Sequence, residues 1–501
     1  MVGSPVLFIA IPLLAAFLIP LFGKLWKESV RIIPGLVLIY QGYLAVNLLS
    51  YTMTNGTIVE KIAGWGPPWG IDLVFSPLSG FLITLMVLMG ILIWLYSYRF
   101  KNNVDFEPAT KYFTLLMMLI TASVGVVLTG DIFNQFVFIE ILGISAYGLT
   151  AFYKGRNAAE ATFKYLLIGG LASTFLLLAI MILYSQLGTL NMADIAIKAH
   201  TLKPIYKFTI LAFFIASFGI EAEMFPMNGW APDAYTEAPG PVGAAFAGIV
   251  AKAGIYTIIR LTFTLFDVQG TMTFLVIMGM ITLIVSEFAA LKQDKIKRML
   301  AYSSMGQMGL AMLAFGIGTK EGVFAALFLL FNHAVIKSLL FMSGSYLVYN
   351  SKNKFIAEMN GVGRFMPITA FLFALGAFAI IGLPPFAGFW SKLYTLMAAA
   401  NQQMVLIIGL VLLVSLVEVV YYLRVVNRMF FVKREENDEY EEIPYRKPSI
   451  NAMASMLILG AVIILIGFYP DLITGILHKA SADLLDTSGY IHSVLSSVVS
   501  H

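Results

Sequence analysis

The chain has 501 residues, of which 59% are hydrophobic and 12% charged, with a formal net charge of +4 and no cysteine. Soluble domains carry about 25% charged residues, so the composition excludes a soluble domain on an anchor and describes a chain that crosses a bilayer many times. Disulfides and thiolate metal sites are excluded. Five histidines without HxxxH or HExxH spacing make no metal centre, and the small net charge points to no nucleic acid.

A transmembrane helix needs about 20 predominantly apolar residues. In chain order such runs occupy roughly 5–23, 30–52, 74–98, 110–129 and 131–153. They continue at 160–187, 206–226 with a short piece to 236, 241–266, 272–291, 299–317 and 322–349. The last lie at 366–383, resuming after a break to about 400, then at 404–431 and 450–469. This predicts an all-α polytopic membrane protein of about 14 transmembrane helices. The first 22 residues lack a basic n-region and a small-residue cleavage pattern, so they read as a retained span and not a signal peptide. Residues 471–501 read as a surface helix or a disordered end.

Of the 32 Lys and Arg residues, 22 fall in loops after odd-numbered spans or at the span ends beside them, against 6 in or beside loops after even-numbered spans and in the tail. The positive-inside rule then makes the odd loops cytoplasmic and puts both termini outside a cell membrane. The remaining four, Lys252, Arg260, Lys337 and Lys392, fall within spans, as do Glu140, Glu221, Glu223, Glu287, Glu418 and His333. A charge at a helix centre costs about 2.5–3.5 kcal/mol on insertion scales. Ten such groups must pair, neutralise or sit in water, and a lipid-facing bundle gives no reason to keep them.

The stretch 219–239 is where the span pattern fails. Its apolar helix runs into Glu221 and Glu223, breaks at Pro226, and meets Pro232 and Pro239 before the next span begins. Proline removes a backbone donor and clashes with the preceding turn; in lipid, the freed carbonyls are tolerated only inside protein or beside a watery cavity. A second break, Gly382-Leu383-Pro384-Pro385-Phe386, lies five spans later and leads to Lys392. Paired interrupted helices mark a repeat-built transporter with mid-membrane sites.

Each candidate has a bland reading as well. Glu140 is a mid-span carboxyl, functional or neutral and hydrogen-bonded. Glu221 and Glu223 are about 200° apart on a helix, so only one faces the axis squarely; Glu221 lies deeper, and Glu223 reads as a hydrated cap. Lys252 is a proton-exchanging lysine or a static counter-ion. Arg260 reads as a snorkelling anchor. His333 and Lys337 share a helix face at i, i+4, as suits a proton wire. Lys392 follows the second break. Asp233, Glu287 and Glu418 are weaker candidates.

Four ordered segments resemble a known family. Phe225-Pro226, Trp230-Ala231-Pro232-Asp233-Ala234 and Thr236-Glu237-Ala238-Pro239 are similar to its FPxHxWxPDAHxxAP motif. The others are Ile296-Lys297-Arg298-Met299-Leu300-Ala301-Tyr302-Ser303-Ser304, Asn332-His333-Ala334-Val335-Ile336-Lys337-Ser338-Leu339-Leu340-Phe341 and Gly382-Leu383-Pro384-Pro385-Phe386. The family is the antiporter-like subunits of respiratory complex I, Mrp-type cation/proton antiporters and membrane-bound hydrogenases. The resemblance implies two inverted five-helix repeats, each with a broken helix, at 110–266 and 272–431. Residues 1–109 would precede them, and 432–501 would hold a loop, the last span and the tail. It also implies a mid-membrane polar axis, with Glu140, Lys252, His333 and Lys392 on the family's functional positions. The lysine at 392 and the absence of a long lateral helix look most like the Mrp D-type subunit or its hydrogenase counterpart.

Two positions depart from the family. Glu221 stands where its lysine is usual, and Asn228 where its histidine is usual. The expected function is an H⁺ or Na⁺ translocating subunit of a multisubunit complex, either a redox-driven pump or an antiporter. In it the Glu140/Glu221 pair holds one proton or coordinates Na⁺. The alternatives are a structural subunit with an impaired first half-channel and a stand-alone carrier. No Gly-rich phosphate loop or cysteine is available for a cofactor, so any redox chemistry belongs to partner subunits.

Overall fold

The computed structural model describes residues 3–98, 106–266, 270–351, 354–433 and 448–496. Arg99, Lys101, Lys352, Arg434, Arg446 and Lys447, which enter the loop-charge count, lie outside the described residues. Helices α1 (Leu7–Leu25) and α2 (Ser29–Asn55) lead to a two-stranded antiparallel hairpin, β1 (Ile58–Lys61) and β2 (Asp72–Phe75). Then come α3 (Pro77–Ser97), α4 (Phe106–Leu128), α5 (Ile132–Thr150), α6 (Arg156–Leu187) and the short α7 (Met192–Lys198). The first broken span is α8 (Pro204–Glu221) with α9 (Ala231–Glu237). The next, Gly240–Leu265, joins α10 (Gly240–Ala245) and α11 (Ala251–Arg260) through a π-turn at Phe246–Val250 and ends in another at Leu261–Leu265.

Helices α12 (Thr271–Leu291), α13 (Ile296–Gly316) and α14 (Lys320–Ser351) follow, then a turn of helix, α15 (Val362–Phe365). The second broken span is α16 (Pro367–Ile381) with α17 (Ala387–Asn401). The chain ends in α18 (Val405–Phe430), α19 (Ile450–Phe468), α20 (Asp471–Leu485) and α21 (Thr487–Ser496). Among the described residues, twelve helices are long and apolar enough to cross a membrane. The more polar α13, with 21 residues, and the α16–α17 pair complete the fourteen expected from sequence.

The layering follows from which helices have any outside face. Every described residue of the Gly240–Leu265 span is buried except Phe263; in α14, Gly322 to Gly344 is buried except Phe331. Helix α13 is buried from Ser303 onward. Around these three lie helices with one apolar face turned outward, as at Leu166, Leu167 and Leu171 of α6 and Leu412, Leu413 and Leu416 of α18. Polar side chains on the inner three therefore have no lipid or headgroup to reach.

Three features depart from the expectation. The hairpin makes the chain not strictly all-helical: Ile58-Val59 and Leu73-Val74-Phe75 are β-formers flanking a Gly- and Pro-rich tip. The described part of the tail, 471–496, is helical and not merely superficial. It forms α20 and α21, which bury Leu477, Ala480, Leu484, Tyr490 and Val494. Asp483 of α20 accepts hydrogen bonds from Ser76 Oγ at 2.6 Å and Leu78 N at 3.0 Å, supplying a carboxylate to the start of α3. Arg260 does not snorkel. It is 2% exposed, donates to Tyr256 Oη at 2.9 Å and lies 4.5 Å from the centre of the Tyr490 ring.

The hairpin also closes a knot at its end of the bundle. Asn191 caps α7 and donates to Asp72 Oδ2 at 2.7 Å, and Asp131 caps α5 through Asn134 N at 2.7 Å. Burial pushes the Asp131 carboxyl up to about 6, against the backbone amides that favour its charge. Its folded-state value thus lies above its unfolded one, so its contribution to stability is present below about pH 4 and lost as pH rises through about 6. Two units correspond to at most roughly 3 kcal/mol. Asp131→Asn keeps the capping oxygen and removes the charge. The variant is expected to raise the apparent Tm of the detergent-solubilised protein at pH 8 and to leave it unchanged at pH 4, as followed by thermal unfolding.

Candidate functional site: two helix breaks and a buried polar axis

At the first break, α8 stops at Glu221 because the chain turns at Glu223, whose φ of +58° is left-handed. The motif's own side chains take the freed carbonyls. Trp230 Nε1 donates to Ile220 O at 3.2 Å and Asn228 Nδ2 to Glu223 O at 3.1 Å, while Thr282 Oγ1 accepts from Phe225 N at 3.1 Å. Asn228 is thus a backbone cap. Trp230 stacks on Tyr165 of α6, centroids 3.9 Å apart, which fixes its reach. Gly254 of α11 packs against the break: a Cβ there would lie 2.1 Å from Glu221 O.

The segment beginning at Ile296 holds the second piece of the break. Lys297 Nζ donates to Thr236 O and Ala238 O, each at 2.5 Å, closing the C-terminus of α9. Arg298 pairs with Asp233, which also accepts from Lys164 Nζ at 2.9 Å. Asp233 is therefore an interhelical ion-pair residue joining α6, α9 and α13, half-buried and bonded away from the axis residues. Its weaker candidacy as an ion-path residue has no geometric support.

The second break repeats the solution with different residues. Gly382 has φ +91°, and Lys392 Nζ reaches back to Ile381 O at 2.8 Å, as Trp230 reaches Ile220 O. Asn332 of α14 donates to Ala387 O at 2.8 Å and Ser391 Oγ at 2.5 Å, pinning the start of α17. Lys392 also pairs with Glu418 of α18 and bonds Ser415 Oγ at 3.0 Å.

Between the breaks, the inner helices place polar groups in a near-continuous row. The π-turn leaves Ala247 O free to accept from Lys252 Nζ at 2.6 Å, and Lys252 Nζ also bonds His333 Nδ1. His333 Nε2 lies 3.0 Å from Ser304 Oγ. The adjacent Ser303 bonds Tyr422 Oη at 3.0 Å, and Tyr422 accepts from Lys337 Nζ at 3.0 Å. Tyr421 Oη donates to Glu287 Oε2 and accepts from Ser303 Oγ, both at 2.7 Å. Gln307 Nε2 donates to Glu418 Oε1 at 2.6 Å, and Glu418 completes the row to Lys392.

Lys252, His333, Lys337, Glu287, Glu418 and Lys392 thus belong to three hydrogen-bonded groups, Lys252–His333–Ser304, Ser303 with Tyr421, Tyr422, Lys337 and Glu287, and Gln307–Glu418–Lys392, the first two on adjacent serines of α13. Sequence reading missed their connectors: Tyr235, Ser303, Ser304, Gln307, Tyr421 and Tyr422. A signal for two existed, since Tyr421 and Tyr422 lie three and four residues after Glu418, on its helix face.

The first half is built differently. Glu140 is half-buried and bonded by Ser173 of α6, so it is not surrounded by apolar groups as its flanking sequence suggests. Glu221 is 8% exposed and close enough for its charge to interact with those of Glu140 and Glu223. Among the described residues no ion pair joins Glu140 or Glu221 to a cation. The reading of Glu223 is reversed. It is 2% exposed and accepts from Tyr235 Oη at 2.5 Å, so it is no hydrated cap. The helix has already ended at Glu221, and the helical angle between the two acids no longer applies.

A multi-pass bundle with two broken helices around an inner row of lysines, a histidine and acids defines an antiporter-like membrane subunit. The chain belongs to the family described as NADH:quinone oxidoreductase/Mrp antiporter, TM, whose model matches residues 129–417. It is 30% identical over 485 residues to NADH-quinone oxidoreductase subunit N of Desulforudis audaxviator, covering 93% of this chain and 96% of that one. It is 28% identical over 495 residues to the D-type subunit of the Na(+)/H(+) antiporter of Alkalihalophilus pseudofirmus, covering 98% and 99%. Among solved structures, a chain of the membrane-bound sulfane sulfur reductase, an archaeal respiratory membrane complex, superposes with a TM-score of 0.90 at 36% identity, covering 98% of this chain and 100% of that one. A chain of the Mrp complex from Dietzia sp. DQ12-45-1b shares the fold, with a TM-score of 0.88 at 23% identity and coverage of 98% and 99%.

The close approach at Gly254 is directly testable. Gly254→Ala forces backbone apart at the break, and overpacking of this kind costs about 1–3 kcal/mol. The apparent Tm in detergent is expected to fall, whereas Gly409→Ala, at a site with open space, leaves it unchanged.

Proposed function

We propose that this chain is a proton-translocating subunit of a larger membrane complex, and that protons travel the row from Lys252 to Lys392. The carrying observation is the Lys252–His333–Ser304 connection inside three helices that have no outer face. Lys252 and His333 share one hydrogen bond, so an extra proton belongs to the pair and not to either alone. When the lysine holds it, its ammonium donates to Ala247 O and His333 Nδ1. When the imidazole holds it, the lysine is a neutral amine. That is an exchangeable site, unlike a fixed counter-ion.

Farther along, Lys337 sits between Tyr422 and the Glu287/Glu418 acids, and Lys392 is held by Glu418 at the second break. Besides the two carboxyls, one engaged by Tyr421 and the other paired with Lys392, the row is made of amines, an imidazole, hydroxyls and an amide, groups that pass protons more readily than they ligate Na⁺. This supports H⁺ over Na⁺ on the row itself. The Glu140/Glu221 carboxylates, with no cation partner, are suited to holding one shared proton at the entry.

Partner membrane subunits, a cell membrane and termini outside belong to the same proposal, the last supported by the 22-to-6 loop asymmetry. A redox-driven parent is supported by 36% identity to the sulfane sulfur reductase chain against 23% to the Mrp chain. A structural role with an impaired entry is favoured by one observation, the unpaired Glu221, and predicts transport insensitive to the row.

The test is ion movement in sealed vesicles carrying the whole complex. Lys252→Met and His333→Ala are each expected to slow proton movement by about a hundredfold, the range of a lost positioned acid or base, with the complex still assembled. Wild-type transport in both variants would assign the chain a structural role.

A further inference from the structure

We propose that Glu223 is the acid that exchanges protons with the Lys252–His333 pair, with the Tyr235 hydroxyl as go-between, so that the first break is wired into the row. This rests on the translocation reading and adds the residue that links the two halves.

The backbone is built to present this side chain. Glu223 adopts a left-handed conformation that is uncommon for a non-glycine residue. Met224 N donates to Gly219 O at 2.8 Å and Asn228 Nδ2 to Glu223 O at 3.1 Å, holding the turn from both sides. The carboxyl is carried inward: Oε1 accepts from Tyr235 Oη at 2.5 Å, and Oε2 is buried with no hydrogen-bond partner among the described residues. A carboxylate serving only to brace the turn would have both oxygens engaged; here one is left open.

Its neighbours are the two halves of the site. Glu221, Lys252 and Lys337 are all near enough to feel its charge. Tyr235 is wedged between the rings of Phe246 and Phe341, with centroids at 5.4 and 5.3 Å, so its hydroxyl is held in place. Ser304, the residue that bonds His333 Nε2, neighbours that hydroxyl.

With the Ser304 and Tyr235 hydroxyls as neighbours, these bonds allow a balanced transfer. Lys252 Nζ gives a proton to His333 Nδ1 as His333 Nε2–H goes to Ser304 Oγ. The Ser304 proton passes to Tyr235 Oη, and the Tyr235 proton to Glu223 Oε1. Each N–H or O–H formed matches one broken. An ammonium and a carboxylate become an amine and a carboxylic acid, while histidine, serine and tyrosine end neutral. The reverse sequence restores the charges.

Glu223→Gln tests this because glutamine keeps the oxygen that accepts from Tyr235 but cannot take a proton. In vesicles carrying the whole complex, proton movement is expected to fall about tenfold or more, as for removal of a proton-transfer group, and Tyr235→Phe to fall likewise. Infrared difference spectra between rest and turnover are expected to lose a protonated-carboxyl band in Glu223→Gln. Wild-type transport in Glu223→Gln beside a dead Lys252→Met overturns this inference and leaves the translocation reading standing. Wild-type transport in Lys252→Met itself overturns the reading beneath it. Slowed transport with no carboxyl band to lose makes Glu223 structural, and also overturns the proposal.

Discussion

A charge on a helix that is enclosed by protein on every side has nowhere to go. Lys252 cannot snorkel to a headgroup, because the Gly240–Leu265 span has no lipid face, and it cannot be left bare at several kcal/mol. Its surroundings follow from that constraint. The π-turn just before it releases Ala247 O, His333 turns Nδ1 toward it, and Ser304 holds the far side of the imidazole. Those contacts fix the rotation of α14 against α13. Lys337, one helical turn beyond His333, is thereby carried onto Tyr422 and the acids of α12 and α18.

The two breaks answer a related constraint on the backbone. A helix that ends inside protein leaves carbonyls without donors, and both breaks use a side chain from the following segment to fill the last one. At the first it is the indole of Trp230. At the second it is the ammonium of Lys392, which makes the same lysine a cap and a charge. The difference bears on what each half can do. The second break carries a paired lysine in direct contact with Glu418. The first carries the carboxylates Glu221 and Glu223 and depends on its neighbours for any basic partner.

Much of this was legible in the sequence. Span number and the two breaks follow from hydropathy and proline, and the cost of buried charge singles out Lys252, His333, Lys337 and Lys392, with Glu287 and Glu418 as weaker candidates beside them. The family segments were legible as strings, but not the reason they travel together: Lys297 and Arg298 of one segment hold α9 of another. The hairpin was hidden by the weight of apolar helix around it. The docking of the tail depends on Asp483 meeting the buried start of α3, 407 residues earlier, a contact no local pattern carries. Glu223 was misjudged because helical angles were applied past the point where the helix stops. Tyr235 and the two serines were passed over because hydroxyls cost little in a span and draw attention only once their partners are known.

The central claim is that the inner row is one connected path from Lys252 to Lys392. It is met most directly by the number of protons moved per turnover of the intact complex in proteoliposomes, compared with the same complex carrying Lys392→Met. A connected path predicts that the ratio drops by this subunit's whole share while the complex remains assembled. An unchanged ratio at an unchanged turnover would contradict it.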